Sequence, residues 1–403
     1  MGKHQIYLDH AATTPIDPRV QVAMMPYIEK DFGNPSSFHS AGKIVKDALD
    51  SAREAIAQSI GANSNELIFT SGGTEANNLA LLGLARACKK YGKHIVTVKT
   101  EHESVLEPLE HLAKKEGFEV TYLDVNEYGQ LDPKAVLAAI RPETILVSIM
   151  LANNEIGTIA PIGKIGGMIR RDRGKRQSDY PIFHTDACQA LGALEVDVQK
   201  LNVDMMTINS SKIYGPKGVG ALYVKRGLKL EPILFGGAQQ HRVRPGTENV
   251  IGIIGFAKAV ELAIMERTKY VAHVEPLRDD LESRLLKTVA KTRRNGDPKN
   301  RLPNISNISF MDVEGEALLL YLDAQGVYAA TGSACTSASL EPSHVILATG
   351  LPYEVAHGSI RFSLGRDTKS KDIDYVLEVL PALVAKLRQI SSVSVDEKYY
   401  KNS

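Results

Sequence analysis

Lys212 stands in NSSKIYGPKGVG (209–220), after an apolar run and before a Gly-Pro-Lys-Gly turn. A crowded, partly desolvated lysine at the carboxyl end of a strand has a nucleophilic amine able to form a Schiff base. Taken singly, it reads equally as a solvated surface charge. Asp186, in HTDACQALG (184–192), ends another apolar run, where α/β sheets build ligand sites. A carboxylate there either caps the next segment or faces a protonated ring nitrogen. Gln189 follows within reach of the same place. SGGTEANN (71–78) turns a strand into a helix; its small residues let backbone N–H groups approach an anion, and Thr74 adds a hydroxyl. A plain helix cap is the simpler reading of that segment alone. His102 in TEHESV and Asn154 in LANNEIG follow two further runs. Cys335 lies in TGSACTSAS (331–339), a polar, flexible composition. Cys88 and Cys188 stand where small buried residues fit. Cys335 is thus either a tolerated small residue or a nucleophile. Taken together, an anion cup, an imidazole, an acid and a lysine beyond successive strand ends are the parts of a pyridoxal phosphate site. The lysine takes the aldehyde, the acid the ring nitrogen and the cup the phosphate.

These residues need a scaffold that brings strand ends to one edge. From residue 67 onward, short β-branched runs alternate with helical spacing: LIFTS, HIVTVK, FEVTYLD, TILVSIML, YPIFHTDA, DMMTINS and ALYVK are the runs. Helical patterns separate most of them, including TEANNLALLGLARACKKYG, SVLEPLEHLAKKEG, DPKAVLAAI, PIGKIGGMIRR and CQALGAL. The rhythm predicts an α/β fold with a large, mostly parallel sheet covered on both faces. After Asn249 a long helical stretch leads to a polar turn region, TRRNGDPKNRLPN. The strand ISNISF, the helix EALLLYLDAQ, strands near VYAATG and SIRFSL, and a closing helix complete a smaller α+β unit. The expected division is a large cofactor-binding domain over 15–255, and a small domain from 1–14 with 256–403 that includes a cysteine loop at 329–345. The terminal SSVSVDEKYYKNS reads as a polar tail.

Composition limits the alternatives. The chain has 403 residues, with 48 Lys+Arg against 47 Asp+Glu and a formal charge of +1. That balance points to neither nucleic acid nor an anionic membrane surface as a partner. The apolar runs are too short to span a bilayer, and no signal-peptide pattern opens the chain. Three scattered cysteines, in no zinc or CxxC spacing, indicate a reducing compartment. A cytoplasmic enzyme is the expectation.

The segments YLDHAATTP, GNPSSFH, TSGGTEANN, EHESV, NNEIG, HTDACQALG, SKIYGPKG, RPGTEN, GSACTS and SIRFSLGR occur in the order seen in cysteine desulfurases, and the chain resembles that family over residues 6–390. TGSACTSAS is similar to the long cysteine-bearing loop of the group I desulfurases. The resemblance implies a fold-type I, class V aminotransferase-like enzyme, a homodimer, that converts L-cysteine to L-alanine and leaves sulfur as a persulfide on Cys335. It implies Lys212 as the cofactor lysine and proton carrier, with His102 stacked on the ring and assisting proton transfer. Asp186 would pair with the ring nitrogen, with Gln189 and Asn154 near the ring oxygen. Gly73, Thr74, Asn209 and Ser211 would hold the phosphate, joined by Thr247 from a second subunit. Arg361 would clamp the substrate carboxylate, a fit for a bidentate guanidinium, and Asn34 would orient the amino acid. The implied sulfur acceptor is a protein such as an iron–sulfur scaffold or a tRNA-thiolation carrier. One position departs from the family, which has His before the lysine where this chain has Ser211. A hydroxyl keeps one hydrogen bond but carries no charge and reaches less far. The alternatives are another class V enzyme, such as a selenocysteine lyase or aminotransferase, and a sulfur-transfer scaffold of low activity.

Overall fold

In a computed structural model of the chain, residues 5–332, 341–391 and 394–400 are described. The strands, in chain order, are β1 (Ile6–Tyr7), β2 (Leu67–Thr70), β3 (His94–Val98), β4 (Glu119–Leu123), β5 (Thr144–Ser148), β6 (Ile182–Asp186), β7 (Met205–Asn209), β8 (Gly220–Val224), β9 (Thr292–Asn295), β10 (Ile305–Phe310), β11 (Val327–Tyr328) and β12 (Ser359–Ser363). Seven of them form one sheet in the order β2-β8-β7-β6-β5-β3-β4. Only β8 runs against its neighbours; β3 through β7 are parallel. The near-continuous apolar runs reflect burial on both faces, as parallel sheets require. One face packs around Val147, Phe183, Ile208 and Tyr223, the other around Ile95, Leu146, Met205 and Leu222. Because β8 alone is reversed, β2, β3, β5, β6 and β7 all end at one edge. Loops 71–73, 99–102, 149–154, 187–189 and 210–212 therefore lie beyond the same side of the sheet.

A second, three-stranded sheet has the order β12-β10-β9. Ile308, Phe310, Ile360 and Phe362 face a separate core with Leu318, Leu322, Val376 and Leu380. The 39-residue helix Val250–Thr288 belongs to both cores. Ile253, Phe256 and Val260 pack against the large sheet, while Val274, Leu281 and Leu285 pack against the small one. β1 pairs with β11, so the chain's first segment is stitched to the small unit.

Several local expectations are revised. TRRN is strand β9 rather than a turn. Its ladder is polar, with Asn295 Nδ2 donating to Asn307 Oδ1 and Ser309 Oγ at 2.8 Å each, so alternating hydrophobicity gives no signal there. CQALGAL is a series of tight turns rather than a helix, closed by bonds such as Ala190 N–H to Ala187 O and Ala193 N–H to Ala190 O. Two helices, Pro18–Glu29 and Ser40–Ser59, precede the β/α rhythm. The polar tail is docked: Val395 is buried, its N–H donates to Asp312 Oδ1, and Tyr399 and Tyr400 pack on a cluster with Ile156, Met311 and Val345.

Candidate active site

The predicted lysine-site residues from Gly73 to Lys212 arrive past five strand ends, those of β2, β3, β5, β6 and β7. Past β2, Gly72 has φ +153°, a conformation that glycine adopts readily, and opens the helix that starts at Gly73. A Cβ on Gly73 would lie 2.8 Å from Sγ of Cys188, which also lines the cavity, so a side chain there would force the thiol to shift. Past β3, His102 caps the helix Glu103–Glu116. Its Nδ1 accepts from Ser104 N–H at 3.0 Å and lies 2.8 Å from Ser104 Oγ. With Nδ1 accepting, the proton of the neutral ring sits on Nε2. Past β5, Asn154 is buried, and its carbonyl accepts from Arg361. β7 ends at Asn209, whose Oδ1 accepts from Ser211 N–H at 3.2 Å and shapes the short 3-10 turn that carries Lys212.

A cavity of about 290 Å³ collects these groups. Gly73, Thr74, His102, Asn154, Asp186, Gln189, Asn209, Ser211, Lys212 and Arg361 all line it. That size sits at the small end of small-molecule sites, roughly 300–1,000 Å³. Asp186 is buried at the end of β6; Oδ2 accepts from Asn77 Nδ2 at 2.7 Å and Oδ1 from Cys188 N–H at 2.8 Å. Asn77 also donates to Ser104 Oγ at 2.8 Å. A continuous relay therefore runs Asp186–Asn77–Ser104–His102. Lys212 Nζ donates to Ala12 O, and Gln189 Nε2 donates to Ala11 O at 2.9 Å. Arg361 reaches in from β12 with its side chain 1 % exposed.

Three predicted residues stand apart. Asn34 is exposed, does not line the cavity, and uses Oδ1 to accept Ser36 N–H in its own turn. Thr247 is exposed and outside the cavity of its own chain. Cys335 lies outside the described residues. Sequence reasoning passed over Asn77, Ser104, Ala12 and Asp9; all four sit inside quoted motifs, and only the relay and the hydrogen bonds give them roles. Burial, and then the Asp186 carboxylate, push the Cys188 thiol well above its usual pKa. Burial also raises that of Cys88. Both are kept as thiols at neutral pH, poor nucleophiles.

The residues present fit pyridoxal phosphate. A lysine amine, a held carboxylate and a Gly-Gly-Thr turn at a helix start surround one cavity, which a Cβ on Gly73 would crowd. Among the described residues, no helix is long and apolar enough to cross a membrane and no cluster of three His, Cys, Asp or Glu side chains is placed to hold a metal.

Comparison with known proteins agrees with this architecture. The Aminotransferase class-V family matches residues 6–376. The chain is 50% identical over 402 residues to a protein named cysteine desulfurase IscS from Dictyoglomus turgidum, covering 100% of both. It is 50% identical to a protein of the same name from Methanosarcina thermophila, covering 97% of this chain and 95% of that one. A solved structure titled NifS-like protein superposes with a TM-score of 0.88 at 33% identity, covering 95% of this chain and 100% of that one. With its lysine, acid and anion turn at the edge where this fold gathers strand ends, the chain belongs to the class V aminotransferase family and, within it, to the cysteine desulfurases.

Proposed function

We propose that the protein is a pyridoxal 5'-phosphate-dependent cysteine desulfurase that releases L-alanine from L-cysteine and carries the sulfur as a persulfide on Cys335. The observation that carries the reading is the convergence of Lys212, Asp186, His102 and Arg361 on one cavity. When bound, the cofactor supplies an aldehyde for amines and a ring that accepts electrons from the substrate's α-carbon. Lys212 would hold the aldehyde and then take the α-proton. Asp186, fixed by Asn77 and the Cys188 N–H, would keep the ring nitrogen protonated. His102, locked by Ser104 with Nε2–H free of the relay, would stack on the ring and return a proton. Gly73, Thr74, Asn209 and Ser211 would hold the phosphate, while Asn154 and Gln189 would lie near the ring oxygen. Arg361 would take the substrate carboxylate; Asn34, exposed and outside this cavity, has no part in it within one chain.

The Cys335 thiolate would attack the substrate sulfur. The S–S bond forms as the Cβ–S bond breaks. The electron pair stays on carbon, which gains a proton and departs as L-alanine. Both other cysteines are held as thiols, which supports the reading of Cys335 as the sulfur carrier. A protein acceptor such as an iron–sulfur scaffold would then take the sulfur. The working form is a homodimer in which Thr247 completes the phosphate site of a second copy.

Cys335→Ser is the test. It should bind cofactor and L-cysteine with wild-type absorbance changes and then fail to release L-alanine, because a serine hydroxyl cannot accept sulfur. Persulfide labelling should map to Cys335. Label on Cys88 or Cys188, or full alanine release by Cys335→Ser without added thiol, would point to another class V activity. Lys212→Ala should lose both cofactor colour and turnover.

A further inference from the structure

We propose that Asp9 is a positioning residue for substrate recognition: its carboxylate and the Asn154 carbonyl together hold the Arg361 guanidinium so that its remaining N–H groups meet an amino-acid carboxylate. The proposal rests on reading Arg361 as the carboxylate clamp. Arg361 is the largest fully buried side chain among the described residues. Its backbone is locked twice, by register with Asn307 of β10 and by an antiparallel bridge to Ala330. The side chain is long and flexible, so its far end needs separate anchors.

Two anchors come from different segments. Arg361 Nη1 donates to Asn154 O at 2.9 Å, and Nη2 donates to Asp9 Oδ1 at 2.8 Å. Two contacts on two nitrogens fix the plane of a rigid fork. Asp9 takes a single N–H with a single oxygen, not the parallel pair of a full bidentate bridge. The fork's buried Nε has no partner among the described residues. Asn154 and Asp9 take one N–H from each Nη, so the guanidinium, which has five N–H groups, keeps one on each Nη for a second carboxylate. Asp9 also supplies the carboxylate that pairs with this buried cation, whose charge would otherwise be costly to bury.

Asp9 is itself held in place. It bridges Ser363 of β12, and its carbonyl accepts from Ala12 N–H at 3.1 Å. The same strap presents Ala11 O to Gln189 and Ala12 O to Lys212. One short segment thus sets the positions of the arginine and the lysine at opposite ends of the substrate.

The experiment compares two ligands on the cofactor-loaded enzyme by absorbance titration: L-alanine, and ethylamine, the same amine without its carboxylate. Asp9→Ala should weaken L-alanine about tenfold, the scale of one charge-assisted contact, while ethylamine stays within about twofold. KM for L-cysteine should rise in parallel with little change in kcat. Asp9→Asn, which keeps the acceptor oxygen, should recover most of the selectivity, and it stands in if Asp9→Ala does not fold. Equal loss for both ligands would mean a merely structural role and overturn the proposal, as would no loss for either. Arg361→Lys is run alongside. If it leaves L-alanine binding unchanged, the clamp reading fails; if it weakens binding while the Asp9 variants do not, the Asp9 proposal alone fails.

Discussion

Glu101 shows how much one buried carboxyl adds to the site. It sits beside His102, fully buried; Oε1 accepts Met150 N–H at 2.6 Å, and Oε2 has no partner among the described residues. Burial first, and the nearby Asp186 charge second, push its pKa well above the ordinary carboxyl value of 4.5. The folded protein therefore keeps a proton that the unfolded chain releases. The stability this contributes is fully present below the unfolded value and is lost as pH rises toward the folded one. Glu101→Gln keeps the shape and removes the titration. Its stability relative to wild type should grow above pH 4.5 by about 1.4 kcal/mol per pH unit until the folded value is reached. Urea unfolding of both proteins between pH 5 and 8 reads this directly, and a gap that stays flat with pH would refute a neutral Glu101.

Among the elements, the helix Val250–Thr288 couples the two sheets, and a buried ion pair marks the joint. Arg301 donates from Nη1 to Glu282 Oε2 at 2.6 Å and from Nη2 to Oε1 at 2.7 Å, and Ser306 Oγ adds a third bond at 2.7 Å. The two side chains are 3 % and 5 % exposed. Burial, the largest single influence, raises the Glu282 pKa, but the hydrogen bonds and charge of Arg301, with the Ser306 bond and the Arg294 charge, together leave the carboxyl below its usual range. Arg301 also bridges Thr158 of the loop after β5, tying helix, small sheet and large sheet together. Glu282→Ala should cost about 3–5 kcal/mol, because it leaves the buried guanidinium with the long 3.4 Å contact to Asp279 in place of a bidentate carboxylate. The double variant Glu282→Met with Arg301→Met should recover much of that loss in equilibrium unfolding. If it recovers none, the pair matters for something other than its charge.

At the scale of the whole molecule, large apolar side chains remain uncovered on a single copy. Phe38, Phe235 and Phe32 are 105%, 87% and 81% exposed. On the helix Pro18–Glu29, Val22, Met25 and Ile28 form an outward stripe at i, i+3 spacing. Exposed apolar area on this scale is expected of a subunit interface, and two-fold dimers are the commonest closed assembly. Light scattering should give the mass of two chains for the wild type and of one for the Phe38→Asp, Phe235→Asp variant. A wild-type monomer that turns over at assay concentration would rule out a shared site. Thr247 is exposed and lies outside the cavity of its own chain.

The sequence by itself determined the parallel sheet and its strand-end chemistry. Continuous β-branched runs followed by Gly, His, Asp and Lys are local patterns, and burial on both faces leaves them few other folds. It also determined the family, because ten short motifs in one order are far more specific than any one of them. Tertiary structure alone decided which polar atoms meet. Asn77 and Ser104 join Asp186 to His102 across separate strand ends, and Asp9 meets Arg361 across more than three hundred residues. No sequence period encodes such contacts. Strand β9 and the docked tail were hidden for a related reason. Their stability comes from hydrogen bonds and a cluster supplied by distant segments, as Asn295 finds Asn307 and Val395 finds Asp312. Local hydrophobic patterning reports what an element buries by itself, not what it borrows from elsewhere in the fold.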